Sequence, residues 1–353
     1  MIAAIRNRAR PGLGPALWFA ALAAACSDGA GAPVTVRVGI ASASSDVGLF
    51  IAHKKGYFTA EGLGVSFVPF DSGARMVAPL GAGQLDVGAG SPSAGLYNAV
   101  VRGMAIKIVA DKGSTPKGYG YQPLLVRRDL VESGRFRTLK DLKGMKIAGS
   151  APGSASTSTL NEALKKAGLK NTDVERVFLG FPQHVLALHN KAVDAALTTE
   201  PSATEAIRSG AAVRVMGDDE IYPDHQLAVI LYGGHFIKEQ PEAGRRFMRA
   251  YLRAVREYND SLVAGRIAGP NADEIIAILT EYTSVKDPAI YRAISAQGCN
   301  PDGAVNEASL KIDLQFYKDE GHIQGNVTVE QAVDHSFVQA ALKELGPYKP
   351  KAL

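Results

Sequence analysis

Cysteine is almost missing from this 353-residue chain: Cys26 and Cys299 are the only two, and Trp18 is the only tryptophan. So sparse a supply excludes a cysteine-built metal cluster. A bilayer-spanning run is not apparent either. The apolar stretch Leu13–Ala25 has 13 residues, whereas a spanning helix needs roughly 20. Excess charge of one sign is also lacking. Lys and Arg number 39 against 35 Asp and Glu, and Arg6, Arg8 and Arg10 stand within the first ten residues. Taking those three from 39 leaves 36 basic groups for a body that carries all 35 acids. A body so near neutrality lacks the concentrated positive surface that phosphate backbones require, which argues against nucleic acid as a partner.

Catalytic signatures are missing too. No G-x-x-x-x-G-K-[ST] stretch occurs, so ATP hydrolysis would fall to a separate subunit. No G-x-S-x-G elbow marks a nucleophilic serine. The histidines form no H-E-x-x-H pattern. His184 and His189 stand five apart, about 140° around a helix, and read as ordinary histidines rather than a facing metal pair. The expectation is a protein that is not an enzyme and holds no metal and no cofactor.

What remains is ordinary globular material, 46% hydrophobic and 21% charged, which excludes a disordered chain or a fibrous repeat. The length is about twice that of a usual single domain, so two lobes are expected. The chain opens with a basic segment, Met1–Arg10, followed by Leu13–Ala25. Pro11, Gly12, Gly14 and Pro15 would break a buried first helix, whereas a basic stretch before a short apolar run reads as an export signal over 1–25. Ala23-Ala24-Ala25-Cys26 resembles a bacterial lipobox, in which the Cys is lipidated and becomes the mature first residue. That pattern prefers Leu where Ala23 stands, so plain cleavage after Ala25 stays open. Residues 26–33 read as a tether. Trp18 lies in the segment to be removed, so the mature chain is expected to show no indole fluorescence. Cys299 is expected to be a buried thiol.

The strongest organisational signal is an internal repeat. VRVGIASASSDVGLFIAHKKGYF with LGVSFVPFDSGARMVAPLGAGQLDVGAGSPSAG matches MKIAGSAPGSASTSTLNEALKKAGL with VERVFLGFPQHVLALHNKAVDAALTTEPSA. Each reads as strand, small-residue loop, helix, strand, loop, helix and a short strand carrying Asp. Val38 to Asp86 spans 48 positions and Ile147 to Asp194 spans 47. Two βαβαβ units with parallel strands follow, an α/β architecture with helices on both sheet faces. Strands are expected over Val34–Ile40, Val65–Phe70, Ile106–Ala110, Lys146–Ala148 and Val174–Leu179. Helical spacing joins Leu160, Ala163, Leu164 and Ala167, with Gly168 as C-cap. Gly120–Arg127 and Gln226–Tyr232 read as two crossings between lobes, a two-strand hinge. The lobes then comprise 34–123 with 228–353, and 124–227. Helices around Phe247–Tyr258, Ile275–Leu279 and Thr328–Leu342 are expected to pack on the first lobe.

In open parallel sheets, ligands sit beyond the carboxyl ends of the strands. Small polar loops occupy those positions in both units: Ala41–Asp46, Asp71-Ser72-Gly73, Gly90–Ser93, Ser150–Thr157 and Thr198–Glu200. Small side chains let a ligand approach the backbone, and amides at helix starts favour an anion. The same Ser and Thr residues also serve as helix N-caps, and both readings stand. Glu200, followed by Pro201, either receives an amine from a ligand or caps the next helix. Tyr119 and Tyr121, with Phe70, are candidates for an aromatic wall. His225 and Gln226 read as solvent-facing loop residues.

GARMVAPLGAGQLDVGAGSPSAG and KAVDAALTTEPSATEA resemble the helix–Gly–x–x–Asp–strand and Asp–x–x–x–x–x–Glu–Pro patterns of bacterial periplasmic solute-binding proteins. IAHKKGYFTAEGLGVSF is similar to the same family's first helix and second strand. The nearest group is the nitrate/sulfonate/taurine/thiamine-precursor (NMT1-like) family of ABC-transporter binding proteins, and the resemblance runs from Val34 to Pro347. It implies a type II two-lobe fold that closes on a small solute and delivers it to an ABC permease with its separate ATPase subunit; the hydroxyls and helix-start amides of the loops make an organic anion such as a sulfonate or carboxylate the expected solute. It implies a periplasmic or extracytoplasmic monomer that touches the membrane only through a lipid anchor on Cys26. Matched by position, the family's contact loops fall on Ser44, Ser45, Asp71, Ser72, Ser91, Ser93, Ser154, Ser156, Thr157, Thr199 and Glu200. A periplasmic sensor subunit binding the same solute is a second reading. A third is the related branch of thiamine-pyrimidine enzymes, but the cysteine-rich iron motif of that branch is missing here and the export signal also counts against it.

Overall fold

The computed structural model describes residues 32–350; the export signal, its cleavage point and Cys26 lie outside the described residues. Two five-stranded sheets organise the chain. The first contains β1 (Val34–Ile40), β2 (Leu63–Pro69), β3 (Val87–Gly90), β4 (Lys107–Ser114) and β10 (Gln226–Tyr232), in the order β2-β1-β3-β10-β4. The second contains β5 (Leu124–Arg127), β6 (Lys146–Gly149), β7 (Glu175–Phe178), β8 (Ala195–Leu197) and β9 (Ala212–Met216), in the order β7-β6-β8-β5-β9.

The repeat read from sequence maps onto β2-β1-β3 and β7-β6-β8, each a parallel trio. The fourth place in each sheet goes to an antiparallel strand that arrives from the other half: β10 pairs with β3 and β4, and β5 with β8 and β9. The two apolar stretches read as crossings are therefore these exchanged strands. The connections themselves are the shorter segments 115–123 and 217–225. Four strands of each sheet run one way and one runs against them.

Burial on both faces explains the near-continuous apolar runs. Along β10, Ile230 and Tyr232 enter one core with Val38 and Phe247, while Val229 and Leu231 enter another with Leu80 and Ile108. In β5, Leu124 and Val126 join Ile147 and Leu164, and Leu125 joins Ala148 and Leu188. This period-two division puts helices on both faces of each sheet. The helix Ala155–Ala167 ends at Gly168, whose φ of 72° supplies the left-handed cap. Pro241 opens the 20-residue helix Pro241–Asp260. The expected last helix is two, Val329–Ala332 and Ser336–Leu345, with Val333 between them.

The C-terminal helices cover the first sheet, and some also reach the second. Asp313, in the helix Glu307–Asp319, accepts from Ser158 Oγ at 2.6 Å, and His225 Nε2 lies 2.8 Å from its other oxygen. This corrects the expectation for two residues. His225 and Gln226 are buried, because Thr159, Asp313 and Asp111 supply hydrogen-bond partners that a solvent-facing loop would not need.

Candidate functional site between the two sheets

The first parallel trio ends in the loops Ala41–Ala43, Phe70–Ser72 and Ser91–Ser93, and the second in Ser150–Ser154, Leu179–Gly180 and Thr198–Pro201. These ends meet. Ser93 and Ser154 form an isolated antiparallel bridge, and Ala94 N donates to Gly153 O at 2.8 Å. Ser44 N donates to Glu200 O at 3.0 Å. Between them lies a cavity of about 40 Å³, large enough for more than one water-sized group. Ser45, Ser72 and Ser91 line it from the first sheet, and Ser150, Ser156 and Thr199 from the second.

Two of these hydroxyls are conspicuous. Ser72 Oγ and Thr199 Oγ1 are buried and have no hydrogen-bond partner among the described residues. A buried hydroxyl left unpaired costs about 1–3 kcal/mol, so a polar guest that pairs with both recovers that free energy. Ser156 Oγ already accepts from Gln122 Nε2 at 3.0 Å and lies 3.3 Å from Ser150 Oγ. Tyr121 also lines the cavity, and its ring packs with Ala155 and Leu227.

Of the expected residues, Ser45, Ser72, Ser91, Tyr121, Ser156 and Thr199 line the cavity. The others stand beside it. Ser44 is tied to Gln297, whose Nε2 donates to Ser44 O at 3.1 Å. Ser93 Oγ accepts from Leu96 N and so caps the helix Ala94–Val101. Ser154 Oγ donates to Ala151 O, and Thr157 Oγ1 to Ser154 O, bonds that shape the turn into the next helix. Asp71 is exposed, 3.9 Å from Arg75 Nε. Tyr119 lines a different cavity of about 450 Å³, together with Asp111, Asn259 and Cys299. Phe70 is packed on the core beneath the first sheet. Glu200 takes the capping role: its carboxylate accepts from Thr204 N and Thr204 Oγ1, both at 2.9 Å, and burial pushes it up to about 7 against the pull of those donors.

Besides the apolar Leu227 and Ala228, three lining residues were not singled out from sequence. Gln122 follows Tyr121 directly. Phe181 opens the helix Phe181–His189 just after the loop that follows β7, which the repeat pairs with the loop after β2. Lys112, near the end of β4, is the third, and its Nζ lies 2.7 Å from Asp46 Oδ1 with both side chains buried. A lysine two residues beyond the apolar run Ile106–Ala110 was the available signal. Among the described residues no cluster of His, Cys, Asp and Glu is arranged to hold a metal ion. His184 is buried, with Nε2 3.0 Å from Leu179 O, and burial lowers it to about 4.

Two sheets of this strand order, facing each other across a closed cleft and linked by two short connections, define the two-lobe type II periplasmic-binding fold. The chain belongs to the NMT1/THI5 like family, whose sequence model matches residues 44–260. A putative aliphatic sulfonates-binding protein of Escherichia coli is 30% identical over 189 residues, covering 53% of this chain and 55% of that one. The match therefore spans about half the length of that relative. The periplasmic nitrate-binding protein NrtA of Synechocystis superposes with a TM-score of 0.75 at 14% identity, over 89% of each chain. The desulfurization enzyme DSZB superposes with a TM-score of 0.59 at 16% identity, over 88% of this chain and 99% of that one. The fold is thus shared by binding proteins and by an enzyme. Among the described residues no helix is long and apolar enough to cross a membrane.

Proposed function

We propose that this chain is the extracytoplasmic solute-binding component of an ABC importer, and that its solute is a small organic or inorganic anion such as a sulfonate, carboxylate or nitrate. The observation that carries the reading is the pair of unpartnered buried hydroxyls, Ser72 Oγ and Thr199 Oγ1, on opposite walls of one cavity. An oxyanion brings several acceptor atoms at close spacing and can pair with donors from both sides at once. The kinship with a sulfonates-binding relative supports the same ligand class.

In this reading residues 34–123 with 228–353 form one lobe and 124–227 the other. The solute settles on one wall first, and rotation about 115–123 and 217–225 brings the second wall onto it. Ser45, Ser72, Ser91, Ser156 and Thr199 hold the anionic head, and Tyr121 and Phe181 flank any apolar body. The solute leaves unchanged, passed to a permease driven by its own ATPase subunit. The chain acts as a monomer, exported by its leader and anchored through Cys26.

A calorimetric screen of the leaderless protein with alkanesulfonates, carboxylates, nitrate and aminopyrimidines tests the ligand class. At least one anion is expected to bind, and Ser72→Ala with Thr199→Val is expected to weaken it by about a hundredfold, at roughly 1.4 kcal/mol per hydroxyl. Binding of only cationic or neutral solutes would overturn the anion reading. Mass spectrometry of the recovered solute checks that it is unaltered.

A further inference from the structure

Lys112 carries a full positive charge at a wall where every other lining residue is neutral. Its surroundings are crowded. Nζ lies 2.7 Å from Asp46 Oδ1, donates to Ser45 Oγ at 3.0 Å and to Ala89 O at 3.3 Å, and the side chains of Lys112 and Asp46 are 1% and 0% exposed. The approach to Asp46 is ionic, too oblique for a directed hydrogen bond. Asp46 Oδ2 meanwhile accepts from Ala43 N at 3.0 Å and so fixes the turn that carries Ser45. Lys112 is thus matched and directed within the protein.

The consequence falls on Ser45. Its oxygen accepts from an ammonium group, so its proton must point elsewhere, and among the described residues it meets no acceptor. Ser45 lines the cavity. A hydroxyl that accepts from a cation is also polarised into a stronger donor, because hydrogen bonds in a chain reinforce one another.

We propose that Lys112 is a positioning residue for the solute: it commits the Ser45 hydroxyl to donate into the cavity, while Asp46 balances its charge and thereby limits how tightly an anion is held. This rests on the anion reading above and adds the device that sets its affinity. The two members of the ion pair then act with opposite signs. Removing the Asp46 charge leaves Lys112 seeking a counter-charge that an anionic solute supplies; removing the Lys112 charge leaves a buried carboxylate that repels the same solute.

The test measures binding of ethanesulfonate and nitrate by calorimetry to the wild-type chain, Lys112→Met, Asp46→Asn, Ser45→Ala and the Lys112→Met/Ser45→Ala double variant, with folding checked by circular dichroism. Asp46→Asn is nearly isosteric and is expected to tighten anion binding about threefold or more, whereas Lys112→Met weakens it about tenfold. In the Ser45→Ala background the Lys112 effect shrinks, since part of it travels through that hydroxyl. A Lys112→Met chain that does not fold leaves Asp46→Asn and Ser45→Ala to decide. Weakening by Asp46→Asn, or an undiminished Lys112 effect in the Ser45→Ala background, overturns the positioning role while the anion reading stands. Failure of the wild-type chain to bind either probe or any carboxylate overturns both.

Discussion

The carboxylate of Asp86 accepts from Arg37 N at 2.8 Å and from the Arg37 guanidinium at 2.9 and 3.0 Å, and it is almost wholly buried. In the other sheet Asp194 accepts from Lys146 N at 3.0 Å and pairs with Arg127 at 3.2 Å. Both acids therefore clamp the first strand of a parallel trio to the start of the third, which is why the repeat keeps Asp at that point. The difference lies in exposure: the Asp86 side chain is 3% exposed and that of Asp194 is 27%. Asp86→Ala takes a buried carboxylate from the Arg37 amide while the half-exposed Arg37 guanidinium turns to water, and is expected to cost about 2 kcal/mol, whereas Asp194→Ala costs about 1 kcal/mol because water replaces more of what is lost. Urea unfolding of the two variants measures the difference, and equal losses would contradict it.

At the scale of the element, the loops after β2 and β3 are packed backbone to backbone. A Cβ placed on Gly73 would lie 2.4 Å from Ser91 N and 2.8 Å from Gly90 Cα, so Gly73→Ala must push these loops apart, and each of them gives a hydroxyl to the cavity. The variant is expected to lose about 1–3 kcal/mol of stability, as overpacking does, and to bind solute more weakly. Gly149→Ala, at the end of β6, meets nothing closer than 4.0 Å and is expected to keep the wild-type melting temperature and affinity. A thermal melt and a calorimetric titration of both variants give the comparison. Such loops were legible in the sequence because small residues after a β-branched strand are a local pattern, and the repeat doubled the evidence. The parallel trios were legible for the same reason. The exchange of β5 and β10 into opposite sheets was not, since an apolar strand carries no mark of which sheet receives it. Sequence leaves Glu200 two roles because a cap and a ligand contact use the same residue types; the structure shows its carboxylate accepting from Thr204, one turn on. Lys112 was not legible, because its partner Asp46 stands far from it in sequence and close to it in space.

At the scale of the molecule, Glu200 sits at a joint of three chain segments. Its backbone oxygen accepts from Ser44 of the first sheet's loops, its carboxylate holds Thr204 of the second half, and Ser295 N, from the C-terminal region, donates to the same carboxylate at 3.4 Å. Burial raises this carboxyl from an ordinary 4.5 to about 7, with the nearby Arg214 pulling the other way. Asp218 is raised to about 7, first by burial, and Asp111 to about 6 for the same reason. Each folded-state value lies above the unfolded one, so between the two the folded chain keeps a proton that the unfolded chain has released. The stability this contributes is fully present below about 4 and is lost as pH rises through 6 and 7. The closed molecule is therefore expected to unfold more easily at pH 8 than at pH 5. Glu200→Gln stands in for the protonated form and removes one share of the slope, on the order of 2–3 kcal/mol across that interval. Urea midpoints at pH 5, 6, 7 and 8 decide it: the wild-type curve should fall with pH and the Glu200→Gln curve should fall less, so that the variant overtakes the wild-type chain on the alkaline side. His184, lowered by burial to about 4, adds a slope of the opposite sign to both curves, so the difference between them is the test: a variant whose slope matches the wild-type chain's would show that this joint is held by an ionised carboxylate.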